Sequence, residues 1–131
     1  MDTSKATQYA APLVRYGMAA VFLLFGILQW TAPATFFGYL PSWVTFIDAN
    51  TLVLLNGTFD FLLGALLAIG VFTRITALIA AVHVFGIAIT IGWNDVAIRD
   101  IGIACACASI AFQGPDQFCY DGRSRNSKKK Q

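Results

Sequence analysis

The residues that could do chemistry are a few polar side chains inside otherwise apolar segments. Asp60 interrupts the second long apolar run of the chain, and His83 lies near the middle of the third. A charged side chain at the centre of a bilayer costs roughly 2.5–3.5 kcal/mol. Such residues are therefore rare, and they usually pair with one another or have a function. A histidine beside a carboxylate can exchange protons near neutral pH. We therefore predict that Asp60 and His83 form a proton relay.

Four further polar residues accompany this pair. Asn56 lies one helical turn from Asp60 on the same face, and Gln29 ends the first apolar run. Arg99 and Asp100 begin the fourth run. Together with Asp60 and His83, these four residues predict one polar pocket that opens outward and binds a small polar group such as a quinone head. The alternative is a hydrogen-bonded core that only fixes the register of the helices.

The apolar runs that carry these residues are four in number. They cover about residues 13–30, 51–72, 75–92 and 96–113, and about 20 residues suffice to span a bilayer. Hydrophobic residues make up 57% of the chain and charged residues only 12%, where soluble domains have about 25% charged residues. The sequence therefore predicts an all-α, polytopic membrane protein. Its four-transmembrane-helix bundle would occupy residues 13–120, between an N-terminal segment 1–12 and a basic tail 121–131.

The depths of Asp60 and His83 are predicted to match. Each lies nine residues from the outer end of its run, which is about 13–14 Å at 1.5 Å per residue. A tight turn at Thr73-Arg74 would make the second and third helices antiparallel neighbours. Asp60 and His83 are therefore expected to face each other near the midplane.

The connection between the first two runs is rich in aromatic residues. Pro33 and Pro41 prevent a continuous helix there, and the aromatic content is typical of a short interfacial segment in the headgroup layer. Trp30, Trp43 and Trp93 would then form an aromatic belt at the outer interface.

The basic residues predict the orientation of the chain. With the N-terminus inside, all Lys and Arg residues except Arg99 fall on the cytoplasmic side, as the positive-inside rule requires. Both termini are therefore expected in the cytoplasm. Arg15 and Arg74 are interpreted as interface anchors that snorkel. The run Lys128, Lys129, Lys130 would either hold anionic lipid or be a solvated topological anchor.

The sequence shows no pattern that is typical of other classes of function. Cys105 and Cys107 point about 200° apart on a helix and cannot bridge there, so these two and Cys119 are interpreted as small apolar fillers. Neither a metal-ligand spacing nor a nucleic-acid-binding pattern is visible. Broken helices and inverted repeats typical of transporters are not evident either.

The order of several short motifs resembles the DoxX/DoxD family of small four-helix membrane proteins. The motifs that carry the resemblance are Arg15 with the Phe-rich stretch to Gly26, Asp60 with Gly64, Gly70-Val71-Phe72-Thr73-Arg74, Arg99-Asp100, Gly114-Pro115 and Tyr120-Asp121. The chain departs from the family pattern at Gln29, where a lysine is usual, and at Asp60, where glutamate is more frequent. Some family members look like the membrane subunit of a thiosulfate:quinone oxidoreductase, and others accompany terminal oxidases or oxidative-stress complexes.

The resemblance and the buried polar residues together favour one function. We expect an accessory subunit of a quinone-linked membrane redox complex, with a bound quinone and no intrinsic cofactor. Its partners would be the lipid bilayer and other membrane subunits, in a prokaryotic inner or plasma membrane. The alternative is a non-catalytic assembly subunit of a larger membrane complex.

Overall fold

The fold consists of long helices joined by short connections. A computed structural model describes residues 3–122, and within them there is no strand. The elements in chain order are helix α1 (Thr3–Thr31), a 3₁₀ helix (Pro33–Tyr39), α2 (Ala49–Ile69), α3 (Thr73–Thr90) and α4 (Asp95–Gln113). The predicted all-α class is confirmed. The predicted membrane contacts of Lys128, Lys129 and Lys130 lie outside the described residues.

Three of the helices are long and apolar enough to cross a membrane. The spans are Ala6–Thr31, Ala49–Ile69 and Thr73–Thr90. Helix α4 is not among them, and its charged residues Asp95, Arg99 and Asp100 all lie in its first two turns.

The first helix begins earlier than its apolar run. Residues 3–12 were predicted as part of a separate N-terminal segment, but they continue α1, with Pro12 inside the helix. Three alanines, one glutamine and one lysine occur in this stretch, and all three residue types are good helix formers. Polarity therefore marks where the apolar surface ends and does not mark where the helix begins.

The helices pack most extensively as two pairs, α1 with α2 and α3 with α4. Glycines bring the backbones of α1 and α2 together. A methyl group at Gly26 would lie 2.7 Å from the carbonyl oxygen of Gly57, and one at Gly64 would lie 2.7 Å from the backbone nitrogen of Leu23. Small residues permit this close approach between membrane helices.

The turn between α2 and α3 lies slightly before its predicted position. Gly70 ends α2 in the left-handed conformation at φ 76°, and Phe72 also has a positive φ of 50°. Thr73 already belongs to α3. Its backbone N–H donates to the Asp121 carboxylate at 3.0 Å, and Asp121 N–H donates to the Gly70 carbonyl at 3.2 Å. The segment after α4 therefore caps α3.

Arg15 is a buried structural residue, and its interpretation as a snorkelling anchor was wrong. Its side chain is 1% exposed, and its Nε lies 2.7 Å from Asp116 Oδ2. Its Nη1 donates to the carbonyl oxygens of Leu67 and Ala68, at the end of α2. Cations are stabilised at helix C-termini because the carbonyls there lack helical partners. Arg74, in contrast, is exposed as predicted for an anchor.

Asp116 is held in its charged form by this arrangement. Burial raises the pKa of Asp116, but hydrogen bonds from Arg15 and from the Phe118 backbone N–H, together with the charge of Arg15, outweigh burial and lower that pKa below its usual value. We call Arg15, Thr73, Asp116 and Asp121 the inner cluster.

The glycine contact between α1 and α2 is testable by adding one methyl group. Gly64→Ala should lower the free energy of unfolding by about 1–3 kcal/mol, because the methyl would press on the backbone of Leu23. Gly86→Ala is the matched control, since a methyl there meets nothing within 4 Å. Denaturation in mild detergent measures both variants. Equal stability of the two variants would contradict the close approach.

The inner cluster predicts a dependence of stability on pH. Since folding lowers the pKa of Asp116, its contribution is complete above the unfolded value of about 3.9 and is lost as the pH falls through the folded value. Asp116→Asn should cost about 2 kcal/mol at neutral pH and flatten the decline in acid. Thermal unfolding across this pH range measures both effects, with exposed Asp95→Asn as the control. A decline of unchanged steepness in Asp116→Asn would exclude this origin.

Candidate functional site

Asp60 of α2 is the centre of a buried hydrogen-bond network. The residue is 5% exposed. Its Oδ1 lies 3.2 Å from His83 Nε2, and its Oδ2 accepts from Gln29 Nε2 at 2.7 Å and from Asn56 Nδ2 at 3.1 Å. Asn56 Nδ2 also lies 2.8 Å from Gln29 Oε1. The structure therefore brings together the predicted relay pair and two of the four predicted binding residues; we call these four residues the Asp60 cluster.

The chemistry of the carboxylate orients its neighbours. An ionised carboxylate only accepts hydrogen bonds, so Gln29 and Asn56 turn their NH2 groups toward Asp60. An ionised Asp60 requires the hydrogen of this contact on His83 Nε2, and in a neutral imidazole Nδ1 is then an acceptor. The His83 ring is further held by Phe59, whose centroid lies 4.8 Å away at an interplanar angle of 76°.

Asp60 also joins the two helix pairs. Gln29 belongs to α1, Asn56 and Asp60 to α2, and His83 to α3. The bond between Asp60 and His83 crosses from the first pair to the second. Its disruption would therefore loosen the contact of the pairs as well as change the site.

Arg99 and Asp100 form a second polar group. Arg99 donates from Nε at 3.0 Å and from Nη2 at 2.9 Å, both to Asp100 Oδ1. The guanidinium also lies over the Phe25 ring, 5.1 Å from its centroid. Within residues 3–122 these two residues do not hydrogen-bond to the Asp60 cluster. The six predicted site residues thus form two groups, not one network.

Both polar groups line one cavity, which has a volume of about 710 Å³. Ligand pockets typically have volumes of 300–1,000 Å³ with mostly apolar walls and a few polar groups. All six predicted site residues line this cavity. Most of the remaining wall is apolar and comes from all four helices, including Phe22, Phe25, Leu52, Val84, Ile87 and Ile103.

The connection between α1 and α2 lines the same cavity. Phe36, Tyr39, Pro41 and Trp43 contribute to its wall, and the 3₁₀ helix has no buried residue. Sequence reasoning placed this segment only at the membrane interface. The signal for a further role was the concentration of aromatic residues between two prolines, because a segment without a long continuous helix can fold over the ends of several helices.

The three tryptophans have different surroundings. Trp43 lines the cavity, whereas Trp30 does not. Trp30 donates to Thr58 Oγ1 at 3.2 Å and packs on Phe61. Trp93 is 84% exposed. Exposure of this kind is compatible with the predicted interfacial belt, and only Trp43 is positioned to contact a ligand.

Metal ligands are not grouped at the site. Among residues 3–122, no three His, Cys, Asp or Glu side chains lie together in a manner that could hold a metal ion. The three cysteines in that part of the chain have free thiols; Cys107 and Cys119 are buried and Cys105 is exposed. The buried positions of Cys107 and Cys119 agree with their interpretation as small apolar fillers.

The contribution of the network to stability can be measured at Gln29. Gln29→Leu keeps the size of the side chain but removes a donor to Asp60 and an acceptor for Asn56. We expect a loss of about 1–3 kcal/mol, since the buried partners lose hydrogen bonds. Gln113→Leu is the control, because Gln113 is exposed and bonds only Ser109. Equal unfolding free energies for both variants would show that the network contributes nothing.

Comparison with known proteins identifies the family of the chain. The DoxX family model matches residues 10–93, which is more than half of the chain and includes Gln29, Asn56, Asp60 and His83. No curated protein and no solved structure matches the chain. The match agrees with the resemblance carried by the short motifs. With three helices that can span a bilayer and this match, the chain belongs to the DoxX family and is an integral membrane protein.

Proposed function

We propose that this protein is an accessory subunit of a quinone-linked membrane redox complex, and that its cavity binds the head group of a quinone. One observation carries the proposal: a mostly apolar cavity of about 710 Å³ has two polar groups in its wall. A quinone is an apolar ring with polar oxygens, so it needs this combination of surfaces. The electrons would come from or go to a partner subunit.

Each polar residue has a role in this proposal. Asp60 and His83 relay a proton, because a carboxylate beside an imidazole stabilises the imidazolium that forms on protonation. Gln29 and Asn56 hold the Asp60 carboxylate in place. Arg99 orients a carbonyl oxygen of the ligand with the guanidinium nitrogens that Asp100 does not use.

The topology that we propose has four crossings, with α4 as the fourth. Its 19 residues extend about 28 Å, close to the thickness of a bilayer core. Its charged residues Arg99 and Asp100 pair with each other and line the cavity, so they need not face lipid. This topology places both termini on the cytoplasmic side, following the excess of basic residues there, and the membrane would be a prokaryotic inner or plasma membrane.

A non-catalytic assembly subunit is the alternative function. It is supported by the complete hydrogen bonding of buried groups: among the described residues no buried side-chain nitrogen or oxygen lacks a partner. A fully hydrogen-bonded polar network can have the single role of fixing the register of the helices. Trp43 and Phe46, which are 67% and 77% exposed, would then belong to a contact surface for another subunit.

The substitution Asp60→Asn tests the proposed function. Asparagine keeps the size of the side chain but removes the charge that would stabilise a protonated His83. We expect quinone binding and turnover of the partner complex to fall by about tenfold or more, in line with the 10²–10⁴-fold contribution typical of acid–base groups. Asp95→Asn is the matched control, since exposed Asp95 does not line the cavity.

The measurements are the quinone content after purification in mild detergent and equilibrium binding of a short-chain quinone. Thermal unfolding of each variant establishes that the fold is retained. Unchanged binding and turnover in Asp60→Asn would reject the proposal. Co-purification of a large protein partner without quinone would favour the assembly function.

A further inference from the structure

The polar atoms left open in the cavity wall are mainly hydrogen-bond acceptors. Asp100 uses Oδ1 for Arg99, and its Oδ2 has no hydrogen bond in the part of the chain that the structure describes. Asn56 uses only Nδ2, which leaves Oδ1 open. His83 uses only Nε2, which leaves Nδ1 open. Asp100 is 7% exposed, so its open oxygen is a strong acceptor with little other access to solvent.

These open atoms are accessible to a ligand. In residues 3–122, every buried side-chain nitrogen or oxygen has a hydrogen-bond partner. Open atoms on side chains that are not exposed therefore keep some accessible surface, and Asn56, His83 and Asp100 all line the cavity.

The hydroxyl groups of the wall add to the excess of acceptors. Thr35 donates to the Ala32 carbonyl at 2.7 Å, and Thr90 donates to the Ile87 carbonyl at 2.8 Å. Both oxygens then retain only acceptor capacity toward a ligand. The donors without a partner within residues 3–122 are Arg99 Nη1, the Tyr39 hydroxyl and the Trp43 indole N–H, all on exposed residues. Arg99 Nη2 and Gln29 Nε2 each keep one further hydrogen beside the bond that they donate to a carboxylate.

We propose that the cavity selects an aromatic ligand that bears hydroxyl donors, so that it prefers the quinol form of its ligand over the quinone form. This inference rests on the proposed function and names the redox form that the same site would hold. A quinol hydroxyl donates to His83 Nδ1, while Asp60 holds the opposite side of the imidazole through Nε2. Asp100 Oδ2 and Asn56 Oδ1 accept from ligand donors in the same way. A quinone carbonyl finds unpartnered donors only on the exposed side chains of Arg99, Tyr39 and Trp43.

The test compares three forms of one ligand on the full-length protein in mild detergent. The ligands are a decyl-substituted hydroquinone kept reduced, its dimethyl ether and its quinone, with binding measured by titration calorimetry. Sites that bind a hydroxyl group discriminate strongly against analogues that lack it. We expect the hydroquinone to bind about tenfold more tightly than either the ether or the quinone, corresponding to one good hydrogen bond.

A variant identifies the acceptor. His83→Phe keeps an aromatic ring but removes Nδ1, so the ratio of hydroquinone to ether affinity should fall to within about threefold. The variant also loses the bond to Asp60, so its thermal stability should fall. The affinity for the ether should change little, which shows that the cavity is still formed. Val82→Ala, which alters an exposed apolar residue of α3 outside the cavity wall, should retain the full ratio.

The outcomes separate the inference from the proposed function. If the quinone binds as tightly as the hydroquinone, or the ether does, the selection for donors is overturned while quinone binding stands. If none of the three ligands binds, both proposals fail. If decyltrimethylammonium, a cation without a donor, binds more tightly than the hydroquinone, the cavity recognises positive charge and the selection for hydroxyl groups is overturned.

Discussion

The buried carboxylate of Asp60 is the constraint on which the rest of the site depends. A carboxylate removed from water must receive hydrogen bonds, because an unpaired buried charge costs several kcal/mol. Here the donors come from Gln29, Asn56 and His83, on three different helices. Their convergence fixes the rotation of α1, α2 and α3 about their axes. Any displacement of one helix would leave part of the charge without a donor.

The inner cluster applies the same principle where α2 ends and α3 begins. Arg15 joins the end of α2 to Asp116, which follows α4, and Asp121 caps the start of α3. Asp60 and His83 lie near the middle of α2 and α3, so the two polar networks hold the helix pairs at two different levels. Between them the contact of α1 with α2 relies on glycine and apolar packing, which is weakly directional. A few buried polar residues therefore determine how the helices are oriented relative to one another.

The Asp60 cluster was accessible to prediction from the sequence, whereas the inner cluster was not. Asp60 and His83 lie at equal distances from the ends of antiparallel runs, so helical geometry alone places them at one level. Arg15 offered no such relation, because its partner Asp116 lies about a hundred positions away, beyond Gly114 and Pro115, in a segment without helical periodicity. An arginine near a helix end is also a common snorkelling residue, so composition favoured the wrong interpretation.

The cavity itself could not be predicted, because an internal space is a property of packing. Periodicity identifies which residues face inward, but it does not state whether their side chains meet. Gly57 and Gly64 allow α1 and α2 to touch, whereas side chains of all four helices leave a space beside Asp60, His83 and Asp100. The connection from Thr35 to Val44 lines the same space. Exposed side chains such as those of Trp43 and Arg99 belong to this wall together with buried Asp60 and Asp100, so the space reaches from the polar interior to the surface. A mostly apolar wall with a few buried polar groups is typical of sites between helices, and it arises only when distant parts of the chain pack together.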